Sequence, residues 1–176
     1  LDQGPVVVED TAFVGTMGWY DYGFRQREAP MKGLTVTPIE ISPGEDGKPS
    51  FTAVPGATES GWEDLRAVDY EPHGLIYQAG GATPEVAVWN DALHIDWGQP
   101  APQVAAEMAG RLRAQIDEVS GRCGRIVGVT HFVPFAELTE HHFESPRRAY
   151  ARAFLGSPLL GEALLEAENL ALVVYG

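Results

Sequence analysis

The sequence predicts an α/β (α+β) fold on the strength of its composition and the order of its segments. The 176 residues are 44% hydrophobic and 21% charged, which is typical of a globular protein. The second half alternates helical and strand patterns, which indicates α/β layering. The length fits one ordinary domain, so residues 1–176 are interpreted as a single domain.

Short segments rich in β-branched and aromatic residues predict the strands of the first half. We expect strands at residues 5–8, 11–17, 34–41 and 50–54, the last two joined in a hairpin by a dense turn signal. Pro38 should place its strand at a sheet edge, because proline donates no backbone hydrogen bond. Ser60 is expected to cap a short helix over 60–66. Residues 71–84, rich in glycine and proline, are expected to form a loop.

The second half contains the clearest helix. Over residues 101–119, apolar side chains recur at four- and three-residue steps and so share one face: Val104, Met108, Leu112, Ile116 and Val119. A strand at 126–129, a helix at 146–154, a helix from Pro158 to Glu168 and a strand at 170–175 follow. Ser157 should cap the third helix, since it precedes a proline at the first helical position.

Charge and cysteine content exclude several classes of protein. The net charge of −13 and the pI near 4.6 disfavour general nucleic-acid binding and binding to anionic membranes. No apolar run approaches the ~20 residues of a membrane span. Cys123, the only cysteine, excludes an internal disulfide and cysteine-rich zinc sites. We interpret it as an apolar filler in a reducing compartment and expect a cytoplasmic location. No pattern indicates an oligomeric state.

His131 is the first candidate for chemistry because it directly follows the predicted strand 126–129. A strand end holds such a histidine in place while its ring faces a cleft. Imidazole binds divalent transition metals and titrates near neutral pH. A structural, hydrogen-bonded histidine at a strand end fits the local sequence equally well.

Two pairs of adjacent residues have both structural and functional interpretations. His141 and His142 fit a solvated polar loop, a metal site or a contact to a substrate phosphate. Adjacent side chains on a helix point apart, which weakens the interpretation as two ligands of one metal. Arg147 and Arg148 fit a solvated helix face or a phosphate contact.

Acidic residues among aromatic ones form the remaining candidates. Asp21 lies between Tyr20 and Tyr22, where it is either a desolvated functional acid or an acceptor of backbone N–H bonds. A second polar–aromatic cluster either orients a loop over a site or caps the following segment, and it consists of Asp91, His94, Asp96 and Trp97.

The order of these segments resembles the later part of a calcineurin-like metallophosphoesterase domain, of a bacterial type with a Gly-Trp-Tyr-Asp loop. The resemblance spans nearly the whole chain. Its most specific parts are Thr-His-Phe-Val-Pro at 130–134, Ala-Phe-Leu-Gly-Ser at 153–157 and Val-Tyr-Gly at 174–176. It implies that the chain is the C-terminal portion of a four-layer α/β/β/α sandwich with mixed β-sheets.

The resemblance also implies a dinuclear metal centre of Mn, Fe or Zn ions. His131 would be one metal ligand, and Gly176 would be the glycine of the closing Gly-His-x-His motif. The Asp-x-His, Gly-Asp and Gly-Asn-His motifs are expected before Leu1, so no catalytic residue is assigned within the chain. Loop position makes five residues candidates for the substrate pocket: Tyr20, Asp21, Tyr22, His141 and His142.

The function implied by this resemblance is that of a hydrolase. In the full-length protein, a metal-bridging hydroxide would attack the phosphorus of a small phosphate mono- or diester. One alternative is a catalytically inert binding or scaffold protein that retains half the fold. Another is an unrelated α/β enzyme that uses His131 with Asp21 or Asp96 as an acid–base pair.

Overall fold

A computed structural model describes residues 3–44 and 48–176 of the chain. The strands are β1 (Val6–Val8), β2 (Thr11–Thr16), β3 (Leu34–Pro43), β4 (Pro49–Ala53), β5 (Ser60–Gly61), β6 (His73–Ala79), β7 (Glu85–Val88), β8 (Arg125–Thr130) and β9 (Leu170–Tyr175). The α-helices are α1 (Ala101–Val119), α2 (Pro146–Ala151) and α3 (Pro158–Leu165). Short 3₁₀ turns lie between them.

The chain divides into two compact units. We call the first the helical unit, and it contains Leu1–Phe24, Pro100–Thr139 and Leu155–Gly176. We call the second the hairpin unit, and it contains Arg25–Gln99 and Glu140–Phe154. The interpretation of residues 1–176 as one domain stays a prediction.

The helical unit is built on a mixed sheet in the order β1-β2-β8-β9. β1 runs antiparallel to β2, whereas β2, β8 and β9 are parallel. Alternate residues of β2 and β8 join one face of α1 and one face of α3 in a core of Ala12, Val14, Ala109, Leu112, Ile116, Val119, Cys123, Ile126, Leu160, Ala163, Leu164 and Ala167. The apolar face predicted for α1 is therefore confirmed, and Cys123 is the core residue expected.

A buried amide fixes α1 to β2. β1 pairs with β2 only as far as Phe13, and none of the described strands pairs with the outer edge of β2 beyond that residue. There the Gly15 N–H donates to Gln115 Oε1, and Gln115 Nε2 donates to the Gly15 carbonyl, both at 2.9 Å. The Gln115 side chain thus takes the place of a neighbouring strand, because both Gly15 backbone groups must be paired when buried.

Replacing Gln115 by leucine should destabilise the protein strongly. The Gly15 N–H and C=O would lose their partner in a buried position, and we expect a loss of about 2–4 kcal/mol in the free energy of unfolding. Gln103→Leu is the matched control, because Gln103 is exposed on the same helix, and it should change stability by less than about 0.5 kcal/mol. Denaturant unfolding measures both. Equal effects would show that the amide is not a structural contact.

The hairpin unit is built on an antiparallel sheet in the order β4-β3-β6-β7, with β5 also paired to β3. Its buried apolar side chains include Leu34, Val36, Ile39, Leu75 and Tyr77. Aromatic rings complete its core. Tyr70 stacks on Tyr150 at a centroid distance of 5.3 Å, and Trp89 stacks on Phe154 at 5.1 Å.

The loop predicted over residues 71–84 is wrong, because β6 occupies His73–Ala79. Gly74 misled the prediction. It pairs with Ile39 of β3, and a Cβ at Gly74 would lie 2.7 Å from the Ile39 carbonyl oxygen. The glycine therefore marks a close approach of two strands and not a turn.

The expected edge position of Pro38 is also wrong, since β3 lies between β4 and β6. On one side Pro38 pairs with Leu75 of β6. On the other side β4 pairs with β3 from Ile39 onward and β5 pairs with Thr35 and Val36, so Pro38 lies between these two pairings. The Pro38 carbonyl accepts from Val54 N on that side, so its ring nitrogen points to the same gap. A proline fits there because no strand partner needs its missing N–H.

The helix predicted over 60–66 is a 3₁₀ turn at Trp62–Asp64, and Ser60 does not cap it. Ser60 and Gly61 instead form β5. The Gly61 N–H donates to Asp64 Oδ2 at 3.1 Å, so the side chain of the third helical residue closes the turn.

The other predicted elements are confirmed, as is the α+β class with a mixed sheet. The 34–41/50–54 hairpin is present as β3 and β4, although residues 45–47 of its turn lie outside the described residues. The four-layer sandwich stays a prediction. Among the described helices, none combines the length and the apolar content that crossing a membrane requires.

His73 should make the stability of the hairpin unit depend on pH. Burial against Phe154 lowers the pKa of His73, while a hydrogen bond with the Glu71 backbone and the charge of Asp91 oppose this shift. The unfolded chain takes up a proton near the ordinary pKa of 6.5, before the folded chain does. The free energy of unfolding should therefore fall as the pH is lowered from 7.5 to 5.

The variant His73→Asn lacks the titrating imidazole, so its free energy of unfolding should fall less steeply between pH 7.5 and 5 than that of the wild type. Asparagine tolerates the positive φ of 59° at this position. His94→Asn is the control, because His94 is exposed, and it should follow the wild-type profile. Parallel profiles for wild type and His73→Asn would contradict the prediction.

Candidate functional site

The carboxyl ends of three parallel strands form a cleft in the helical unit. β2, β8 and β9 all end at this edge of the sheet, since they run in the same direction. The cleft has a volume of about 490 Å³ and is lined by Thr16, Met17, Val129, Thr130, His131, Val174, Tyr175 and Gly176. Ligands of open parallel sheets bind at such edges.

His131 lies at the centre of this edge, directly after β8. Its backbone N–H and that of Phe132 both donate to the Met17 carbonyl, at 3.0 and 3.1 Å, which joins the end of β8 to the end of β2. The imidazole is exposed and meets the Phe132 ring in a T-shaped contact at 5.4 Å. A Cβ at Gly176 would lie 3.3 Å from His131 Nδ1, so the end of β9 passes close beside this nitrogen.

The loop after β2 places its aromatic residues in the core. Trp19 stacks on Tyr20 at 4.7 Å, and both rings contact Phe132, at 5.1 and 5.7 Å. Tyr20 is 1% exposed and Tyr22 is 0% exposed. Tyr20 therefore packs against the turn that carries His131, and the role of both tyrosines as substrate-pocket residues stays a prediction.

Asp21 accepts hydrogen bonds that hold this loop to α3. Its Oδ1 accepts from Gly23 N and its Oδ2 accepts from Ser157 Oγ, both at 2.8 Å. Ser157 Oγ accepts in turn from Leu159 N at 3.1 Å, so it caps α3 as predicted. Of the two roles open for Asp21, this geometry supports that of a structural acceptor. Its roles in a pocket or as the acid–base partner of His131 stay predictions.

His141 and His142 lie in the hairpin unit, and both are exposed. The His141 carbonyl accepts from Arg152 Nη1 at 3.2 Å. His142 Nδ1 lies 3.9 Å from Glu28 Oε2. These contacts suit a solvated polar loop, and the proposed contact of the two histidines with a substrate stays a prediction.

The second polar–aromatic cluster also lies in the hairpin unit. Asp91 Oδ2 accepts from Trp89 Nε1 at 2.8 Å, and Asp96 Oδ1 accepts from Gly98 N at 2.7 Å. Both carboxylates thus bind donors close to them in the chain, which favours a loop-orienting role. Arg147 and Arg148 are exposed on α2.

The chemistry of the cleft allows one metal ligand to be named. The imidazole of His131 is accessible and is a donor that transition metals prefer. Across residues 3–44 and 48–176, no three side chains of His, Cys, Asp or Glu are grouped to hold a metal ion. His131 is therefore a single candidate ligand, and its role in a metal centre stays a prediction.

Sequence reasoning missed the residue directly before His131. Thr130 is 3% exposed, and its hydroxyl donates to the Phe132 carbonyl at 2.8 Å. The available signal is a hydroxyl at a core-facing strand position, because a buried hydroxyl needs a hydrogen-bond partner.

Comparison with known protein families, curated proteins and solved structures finds no match to this chain. The interpretation of the cleft therefore depends on its own geometry and on the motif order described above. Both point to the same residue, His131.

Ser157→Ala should destabilise the protein by about 2 kcal/mol, because it removes both the cap of α3 and the donor to the Asp21 carboxylate. Ser145→Ala is the matched control. Ser145 occupies the same position before α2 but makes no capping hydrogen bond with its side chain, so we expect a change below about 0.5 kcal/mol. Thermal unfolding of both variants checks this, and a neutral Ser157→Ala would show that the Asp21 loop is held by other contacts.

Proposed function

We propose that this chain belongs to a metal-dependent phosphoesterase that hydrolyses a small phosphate mono- or diester. The single observation that carries the proposal is the position of His131. It is an accessible imidazole at the carboxyl ends of three parallel strands, in a cleft with room for a small ligand. The order of motifs supplies the reaction class.

His131 would hold one of two divalent metal ions, and its ring is the part of the described chain that suits this role. When bound, Mn, Fe or Zn ions would supply a nucleophilic hydroxide at neutral pH and neutralise charge on the phosphoryl oxygens. The further ligands and the leaving-group acid are proposed to come from the full-length protein.

The chain's own contribution is to fix the backbone that carries the imidazole. The Met17 carbonyl accepts from both peptide N–H groups that flank the His131 Cα. Phe132 is anchored by Trp19 and Tyr20. A ligand held in this way needs little reorganisation on binding, so less binding energy is lost in ordering it.

The cleft supports an anionic substrate in spite of the chain's net charge of −13. Its lining residues carry hydroxyl, thioether, aliphatic, phenol and imidazole groups and no carboxylate side chain. Charges elsewhere on the surface are screened over about 10 Å at 0.1 M salt. The side chains of the described lining therefore add no negative charge beside a bound phosphate group.

His131→Ala should remove both metal and activity. We expect the purified protein to hydrolyse p-nitrophenyl phosphate or bis(p-nitrophenyl) phosphate with added Mn²⁺. The hydrolysis rate of the variant should fall by about 100-fold or more, because even the loss of an outer-shell partner of a metal ligand lowers metal affinity or activity by about 10–100-fold. Native mass spectrometry of the same samples reports chain mass and bound metal. His94→Ala, an exposed histidine in the hairpin unit, is the control and should retain both.

Three outcomes separate the alternatives. A mass above 19.0 kDa with two metal ions, reduced in His131→Ala, would support the phosphoesterase. Loss of activity with unchanged metal content would favour His131 as an acid–base residue of another enzyme. A mass of 19.0 kDa with no metal and no hydrolysis would favour an inert binding or scaffold protein.

A further inference from the structure

The turn that carries His131 contains a buried hydroxyl group. Thr130 is the last residue of β8, pairs with Thr16 of β2 and Tyr175 of β9, and is 3% exposed. Its Oγ1 donates to the Phe132 carbonyl at 2.8 Å. This hydrogen bond spans His131 and closes the backbone around that residue.

The same turn is held from β2. The N–H groups of His131 and Phe132 both donate to the Met17 carbonyl. The peptide groups before and after the His131 Cα are therefore each fixed by a hydrogen bond, and the Thr130 hydroxyl fixes the next carbonyl. With the backbone held in this way, the two side-chain torsions of His131 are the main freedom left to the imidazole.

A buried hydroxyl has a cost at this position. The alternating pattern of β8 directs Ile126, Gly128 and Thr130 towards the buried side, where a valine would add apolar contact without any polar group to satisfy. Burying a hydroxyl is unfavourable unless it is hydrogen-bonded. The hydrogen bond to the Phe132 carbonyl satisfies this hydroxyl, so its role is in the turn that it closes.

We propose that Thr130 is a positioning residue for His131. Its hydroxyl sets the backbone of the turn, and the turn directs the imidazole into the cleft beside Gly176. This inference rests on the proposed function only for the statement that the positioned ring binds metal. The position of the ring itself is open to measurement in the metal-free protein.

Thr130→Val tests the proposal, because valine keeps the shape of threonine and removes the donor. In metal-free protein, we expect the ring ¹H and ¹³C resonances of His131 to shift in Thr130→Val, since the T-shaped contact with Phe132 places the imidazole in a ring-current field. They should stay at wild-type positions in Thr130→Ser, which keeps the hydroxyl. Thr11→Val at the start of β2 is the control and should leave them unchanged.

Metal binding gives the second readout. Paramagnetic broadening of the His131 ring by added Mn²⁺ should need about 3- to 10-fold more Mn²⁺ in Thr130→Val, from the loss of one hydrogen bond. Thr130→Ser and Thr11→Val should remain within about 2-fold of the wild type. If Thr130→Val does not fold, Thr130→Cys takes its place, because a thiol is a weak donor of similar size.

Each outcome has one meaning. Unshifted His131 resonances in a folded Thr130→Val protein would overturn the positioning role, whatever the metal result. Shifts in both Thr130→Val and Thr130→Ser would also overturn it, since the hydroxyl would then not be the cause. If the ring shifts as expected but Mn²⁺ broadens His131 in no protein, the positioning role stands and the proposed metal site fails.

Discussion

The amide of Gln115 is the contact on which the sheet of the helical unit depends. β1 covers the outer edge of β2 only up to Phe13, and the buried Gly15 lies beyond that cover. A buried peptide group without a partner costs about 1–3 kcal/mol. The carboxamide of Gln115 forms hydrogen bonds with both the N–H and the C=O of Gly15, so directional hydrogen bonds as well as apolar contacts fix α1 to β2.

Gln115 influences the position of the cleft through β2 in two steps. β2 is held by α1 at Gly15, and two residues further on the Met17 carbonyl accepts the two N–H groups of the turn after β8. The position of His131 therefore depends on β2, and that of β2 depends in part on a residue of α1. The hydrogen bond from Ser157 to Asp21 holds the loop after β2 against the start of α3.

Periodicity predicted most of the fold because most elements follow simple rules. The 101–119 helix has one continuous apolar face, and Ser157 before Pro158 has the chemistry of a helix cap. The failures at Gly74 and Pro38 share a physical reason. Glycine and proline usually interrupt strands, but here the close approach of β3 requires a glycine at Gly74, and Pro38 lies at a gap in the strand pairing where its missing N–H is tolerated.

The candidate site was predicted less completely than the fold, because sequence shows where a residue lies along a strand but not what its neighbours across the sheet provide. His131 was identifiable from its place after a strand. The partners that hold it were not, since the Met17 carbonyl belongs to the backbone and the role of Thr130 depends on a turn that forms only after the strand ends. The aromatic residues around Asp21 are buried, and the rings of Trp19 and Tyr20 contact Phe132, which directly follows His131.

The distribution of charge links these observations to function. The chain carries 25 acidic and 12 basic residues, yet none of the described residues that line the cleft is acidic. The side chains of the lining therefore carry no negative charge, in a protein whose net charge is −13. A carboxylate in this lining would attract cations but repel a phosphate, whereas a neutral imidazole binds a metal ion without adding negative charge. If the proposed metal centre forms beside His131, the side chains of this lining would not offset its positive charge.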